Sequence, residues 1–426
     1  MKMLHTGLRA AAIVAAATLV GLSAAPGSAR AEACTVKIGA VLPTSVDWGR
    51  PIAATAQFAV DIANKAGGVN GCKVQMILRD TQVQAKVGVD AAKSMVDIDK
   101  VPVILGAVSS GVSMPILTSV TVPAGVMQMS CCSSSTSFSR LAAEGKTKGL
   151  WFRTFATSRV QASIATLIAK EKGYKKMAVF YKNDDWGQDM VKLVVHDLKA
   201  VGIEVTAAIP INNDQPSYRA EVTKARKAKA DGVYLALYPK EGIAVVREWI
   251  SLGGTRKMIV ANSLKSDDFR KGVGIKYLGD VVGTDTASPR TKSASAFVTA
   301  YKARFKKEPN GPGLSNSYDA TMIVLLAMQA AGKDAKGPAI AAKVPAVTDP
   351  NGTPVQANAA GFKKASALLK AGKTVSYQGA TGAVQFDRNG DVSAPGLVWS
   401  FTGSGIKELR YIPLKDVEAF IAKLEK

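Results

Sequence analysis

Histidine is nearly missing from this 426-residue chain: there are two, His5 and His196. With so little imidazole, a zinc site of His and Cys at ligand spacing is excluded, and there is little scope for triad chemistry. The phosphate-binding loop and the Gly-x-Ser-x-Gly nucleophile elbow are missing too, so an enzyme is not expected. Acids are scarce beside bases, 33 against 55, giving a formal charge of +22. Aromatics are only 6% of residues, and the lysines on helix faces (Lys224, Lys227, Lys229; Lys302, Lys306, Lys307) have only Phe305 among them. Nucleic acid is therefore not an expected partner, and the charge reads as solvated surface with some attraction for anionic solutes. Beyond residue 31 no apolar run approaches the roughly 20 residues needed to span a bilayer, the strongest being Met322 to Ala331.

What is present begins with an address. Lys2 and Arg9 precede an apolar stretch from Ala10 to Ala25, and Ala29-Arg30-Ala31 offers small residues at both positions read by a signal peptidase. Residues 1–31 are expected to be a signal peptide, cut before Glu32, which places the mature chain in the periplasm as a soluble protein. A lipoprotein anchor at Cys34 is disfavoured because Ala31 stands where a large aliphatic residue is required. The leader holds three bases and no acid, so the +22 falls by three to +19 for the mature chain. About 395 residues remain, enough for two lobes with real cores.

Four cysteines in an oxidising compartment invite pairing. Cys34 and Cys72 each stand just before a strand-like run, Val36 to Leu42 and Val74 to Leu78. If those strands are parallel neighbours, both sulfurs lie at one end of the sheet, and a Cys34–Cys72 disulfide is expected. Cys131 and Cys132 are adjacent, either two free thiols or a strained vicinal bridge.

From Val36 onward the chain repeats a short β-rich run, a loop with Gly, Ser or Asp, and an amphipathic helix. That grammar builds parallel sheets covered by helices on both faces, an α/β fold. One set of units ends near Phe152-Arg153-Thr154 and a second similar set follows. Late strand-like segments, Gly382 to Phe386 and Leu397 to Thr402, are expected to complete both sheets, so the chain should cross between lobes three times.

Four segments carry a resemblance to periplasmic binding proteins of the branched-chain amino acid type: Ile62-Ala-Asn-Lys-Ala-Gly-Gly-Val-Asn-Gly71, Phe180-Tyr-Lys-Asn-Asp-Asp-Trp-Gly-Gln188, Ser317-Tyr-Asp-Ala320 and Gly382-Ala-Val-Gln-Phe-Asp-Arg-Asn-Gly390. They occur in the family's order over nearly the whole mature chain. The resemblance implies a type I fold: two Rossmann-like lobes with parallel sheets, joined by a three-strand hinge. It places the N-terminal lobe at 32–154 and 287–375, the C-terminal lobe at 155–286 and 376–412, and a final helix at 413–426. It also implies a small-molecule solute captured between closing lobes and delivered to ABC transporter permease subunits, with no cofactor or metal and as a monomer. A ligand-sensing module for a receptor would use the same pocket.

In open α/β sheets ligands bind beyond the carboxyl ends of strands. There Ser109 and Ser110 open a helix whose N–H groups favour an anion, and Ser110 matches the family serine that holds a ligand carboxylate. The tract Ser130-Cys-Cys-Ser-Ser-Ser135 matches the segment that grips the head group, placing Cys132, Ser133 and Ser134 at the pocket. Trp48 matches an aromatic that lies over the ligand, while Tyr238 and Trp186 reach the cleft from the second lobe. The departure is in charge. Where amino-acid-binding relatives carry acids for the ligand ammonium, this chain has Ser158 and Ser263. A buried ammonium needs a paired charge or several acceptors, so a carboxylate or polar neutral without an α-ammonium is expected. Arg159 would reinforce that preference if it faces inward, whereas Asp184, Asp185 or Asp267 in the cleft would restore amino acid binding.

Overall fold

The computed structural model describes residues 34–425; the expected signal peptide and its cleavage point lie outside the described residues. The first sheet is formed by β1 (Thr35–Leu42), β2 (Lys73–Asp80), β3 (Val103–Gly106), β4 (Met127–Ser130) and β5 (Trp151–Arg153). All are parallel, in the order β2-β1-β3-β4-β5. Strands such as Val-Ile-Leu-Gly in β3 are buried at every position, as a sheet covered on both faces demands.

The second lobe repeats the plan with β6 (Lys176–Lys182), β7 (Glu204–Ile211), β8 (Gly232–Ala236), β9 (Met258–Val260) and β10 (Val282–Thr286) in the order β7-β6-β8-β9-β10. Three short strands follow, β11 (Thr353–Gln356), β12 (Val375–Gly379) and β13 (Gly382–Ala383), then β14 (Gly396–Thr402) and β15 (Gly405–Ile412). The last two extend the second sheet antiparallel from β10, so its outer edge is a hairpin rather than another crossover unit.

The late strands thus do not complete both sheets. β11, β12 and β13 form a separate three-stranded sheet, and Tyr377, Ala380 and Val384 join the core of the first lobe. This moves the third crossing past the expected boundary at 376, which falls inside β12. The reason lies in the apolar helix Leu314–Ala331, buried along almost its whole length. A helix apolar all round must be covered on all sides; helices Arg50–Lys65 and Ala359–Lys370 and the small sheet do this. Its buried Asp319 accepts hydrogen bonds from Tyr377 Oη (2.7 Å) and from the Ala380 (2.7 Å) and Thr381 (2.7 Å) amides, pinning that sheet to the first lobe.

Cys34 and Cys72 are joined in a disulfide, with Cα atoms 4.8 Å apart at the adjacent starts of β1 and β2. Cys131 and Cys132 are free thiols. Among the described residues no helix is long and apolar enough to cross a membrane.

Candidate functional site

The shared order of both sheets puts a topological switch point between β1 and β3 in one lobe and between β6 and β8 in the other. Loops that leave adjacent strands in opposite directions open a crevice there. Trp48 follows β1 and precedes helix Arg50–Lys65; Ser109 and Ser110 follow β3; Cys132 to Ser134 follow β4. From the other lobe, Asp184 follows β6, Tyr238 follows β8, and Asn262 and Ser263 follow β9.

The two sets meet around a small cavity of about 50 Å³. It is lined by Trp48, Ser110, Cys132, Ser134, Trp186, Tyr238 and Ser263, with Ile52, Val108, Phe155, Asn262, Pro312 and Gly313 completing the wall. The lobes are in contact across it. Trp48 and Tyr238 lie nearly parallel at 10°, with centroids 5.8 Å apart, and Trp186 backs Tyr238 at 5.2 Å. Tyr238 Oη donates to Ser109 Oγ (2.8 Å), which donates to Asp184 Oδ2 (3.4 Å), so the hydroxyl of one lobe bridges two groups of the other. Further along, Asp189 accepts from the Thr136 amide (2.9 Å) and hydroxyl.

Not every expected residue reaches the cavity. Ser109 sits at its edge in the bridge just described. Ser133 is fully buried behind the wall, where its hydroxyl donates to Val108 O (3.2 Å) and can accept from the Ser113 hydroxyl (2.7 Å). Ser158 is fully buried as well; its amide donates to Ser134 O (2.6 Å) and its hydroxyl to Ser134 Oγ (3.2 Å), so it braces a lining residue. Ser263 lines the cavity, with its hydroxyl donating to Leu237 O (2.6 Å). Arg159 turns away and pairs with Asp197 at 2.8 Å. Asp267 stands exposed beside Arg270 on a separate helix.

Sequence reading missed Ile52, Val108, Phe155, Asn262, Pro312 and Gly313. Asn262 shares a turn with Ser263 and was legible from that alone. Gly313, at φ 72°, ends the segment entering helix Leu314–Ala331; a Cβ there would lie 2.3 Å from Cys132 Sγ, so the thiol fills the space its hydrogen leaves. No local motif announces that approach. Burial, helped by the neighbouring Cys131 thiol, pushes the Cys132 thiol well up and keeps it protonated.

Among the described residues, none that lines the cavity is charged. The closest carboxylates are otherwise engaged. Asp285 is buried against Lys265 at 3.1 Å. Asp184 caps helix Asp185–Ala200 through the Gly187 amide (2.9 Å), and burial raises its carboxyl to about 6 against the pull of that bond and of Lys182. Asp185 is likewise raised by burial. Among the described residues no cluster of metal-ligating side chains occurs.

Two lobes on one topology, closing on a cavity at their paired switch points, define a solute-binding protein of the hinged type. Residues 35–396 match the periplasmic binding protein family, and the chain belongs to it. It is 28% identical over 333 residues to the Leu/Ile/Val-binding protein BraC3 of Rhizobium johnstonii, covering 77% of this chain and 88% of that one. Its fold is similar to the leucine binding protein LivK of Thermotoga maritima (TM-score 0.71, 20% identity, 89% of this chain and 99% of that one). It is also similar to a solute binding protein of an ABC transporter from R. palustris, solved in complex with 4-hydroxybenzoate (TM-score 0.70, 17% identity, 89% and 97%). The chain is thus a solute-binding component of the ABC transporter type, in a family of binding proteins rather than enzymes.

Proposed function

We propose that this protein captures a small, flat solute carrying a carboxylate or neutral polar head but no α-ammonium, and presents it to an ABC permease in the periplasm without chemical change. The observation that carries this reading is the uncharged cavity wall. An ammonium brought there would lose its hydration without gaining a free carboxylate, whereas hydroxyls and an amide satisfy a carboxylate or amide head. Ser110, Ser134, Asn262 and Ser263 would serve that head. The parallel rings of Trp48 and Tyr238, one from each lobe with centroids 5.8 Å apart, would part by about 1 Å to take the flat body between them. The solute would be held by groups of both lobes, so binding favours the closed population. The 4-hydroxybenzoate held by the R. palustris relative has this chemistry.

The name of the Rhizobium relative favours branched-chain amino acids instead, and one feature supports it: Asp184 stands at the cavity edge, bonded to Ser109. A thermal-shift screen of the mature protein separates the two, comparing benzoate, 4-hydroxybenzoate, benzamide, leucine and valine. At about a hundredfold its dissociation constant a ligand stabilises by roughly 2.7 kcal/mol, an easily measured shift. Aromatic acids or amides should raise the melting point and leucine should not. A largest shift with leucine or valine would overturn the reading.

A further inference from the structure

Arg153 takes no part in the cavity wall, yet its guanidinium is fully buried and spends its donors on three separate parts of the chain. Nη1 donates to Ser133 O (3.1 Å) and Ser135 O (2.7 Å), the carbonyls on either side of Ser134. Nε donates to Asp391 Oδ1 (2.6 Å), in the third crossing between the lobes. Nη2 donates to Ser139 Oγ (2.8 Å), which itself donates to Asp391 Oδ2 (2.5 Å). Arg153 also ends β5, where the first crossing begins, and its own amide donates to Gly390 O (2.9 Å).

We propose that Arg153 is a positioning residue that couples the solute-contacting loop 131–136 to the hinge. Nη1 fixes the carbonyls of the residues before and after Ser134, one with each of its hydrogens, while the Ser134 and Cys132 side chains line the cavity. The same residue holds crossings one and three together, its guanidinium through Asp391 and its backbone amide through Gly390. A change in hinge angle that displaces Asp391 therefore pulls on the loop, and a solute that orders the loop favours one hinge position. The inference rests on the proposed solute contact of this loop, but the mechanical coupling can be tested without a solute.

Hydrogen exchange on the intact mature protein supplies that test, using Asp391→Asn, Arg153→Lys and the milder Ser139→Ala. The amides of Cys132, Ser133, Ser135 and Thr136 all have hydrogen-bond partners and start out protected. Asp391→Asn touches none of them, yet should speed their exchange by about tenfold while β1 and β3 stay protected. Arg153→Lys keeps a charge beside Asp391 but loses the fork, and should give the same pattern; Ser139→Ala should give a smaller one. Exchange confined to 386–391, or a uniform rise across the first lobe that tracks the melting point, would overturn the proposal. Should Arg153→Lys fail to fold, the other two variants still decide it. Titrating leucine and benzoate into each variant adds the binding arm: whichever binds the wild type should bind about tenfold more weakly to Asp391→Asn. If neither binds the wild type, the ligand reading fails while the exchange pattern still decides the coupling.

Discussion

Asp184 shows how one buried carboxyl can make a binding protein sensitive to pH. It lies on the second lobe, against Ser109 and Gly111 of the first, with Tyr238, Lys182 and Asp185 as its other polar neighbours. Part of the residue reaches solvent, but its carboxyl is enclosed between the lobes, and burial raises it from 3.8 to about 6. A raised carboxyl binds its proton more tightly in the native arrangement than in the open chain. Its stabilising contribution is therefore complete below pH 3.8 and lost as pH rises through 6. About two pKa units correspond to at most about 3 kcal/mol. Asp184→Asn keeps an acceptor for the Gly187 amide and mimics the protonated form. It should melt higher than the wild type at pH 7.5, with the difference disappearing near pH 4, as followed by thermal unfolding across that range. Asp319, raised to about 6 by burial in the first lobe, leaves part of the wild-type slope in place.

At the scale of elements, the chain's alternation of strand and helix was legible because each parallel strand reads as a short apolar run closed by turn residues. That reading brought Cys34 and Cys72 to neighbouring strand starts, where the structure joins them. The bridge closes a loop over 38 positions, for which the chain-entropy relation gives about 4 kcal/mol. Cys34→Ser combined with Cys72→Ser should lower unfolding stability by up to that amount in urea titrations, without loss of solute binding, since neither residue lines the cavity. What could not be read was the region after Gly332, where glycine, proline and alanine obscure any period. Helix Ala359–Lys370 and the three-stranded sheet form there because an uncovered apolar face of helix Leu314–Ala331 needs them. Their fate is decided by packing against elements distant in sequence, which no local pattern carries. The site divides the same way. Loops following strands gave Trp48, Ser110, Cys132, Ser134, Tyr238 and Ser263, whereas Phe155 comes from a crossing between lobes and Gly313 from the segment entering the buried helix Leu314–Ala331, routes set by the whole fold.

For the molecule as a whole, the question is what limits how far the lobes can close. Gly111, in the first turn of helix Ser110–Ile116, has no side chain to meet the opposite lobe, and a Cβ there would lie 2.8 Å from Asp184 Cβ. That atom is fixed to the backbone and cannot swing aside as a side-chain tip would. Gly111→Ala is therefore a wedge between the lobes, placed beside the Tyr238–Ser109–Asp184 bridge. Within its own helix the change is favourable, because alanine exceeds glycine by about 1 kcal/mol in helix propensity. The two effects separate cleanly: the first lobe should fold as well as before or better, while the closed population falls. Small-angle scattering should report a larger radius for the variant, and its Trp48 fluorescence should lose the signature of a ring stacked on Tyr238, while Trp186, on the same lobe as Tyr238, keeps its contact. Any solute that binds by closing the lobes should lose affinity in proportion to the lost closed fraction, by about tenfold if holding the lobes apart costs about 1.4 kcal/mol. A variant that scatters and binds like the wild type would mean that helix Asp185–Ala200 yields around the new methyl group, and that the contact at Gly111 does not set the limit of closure.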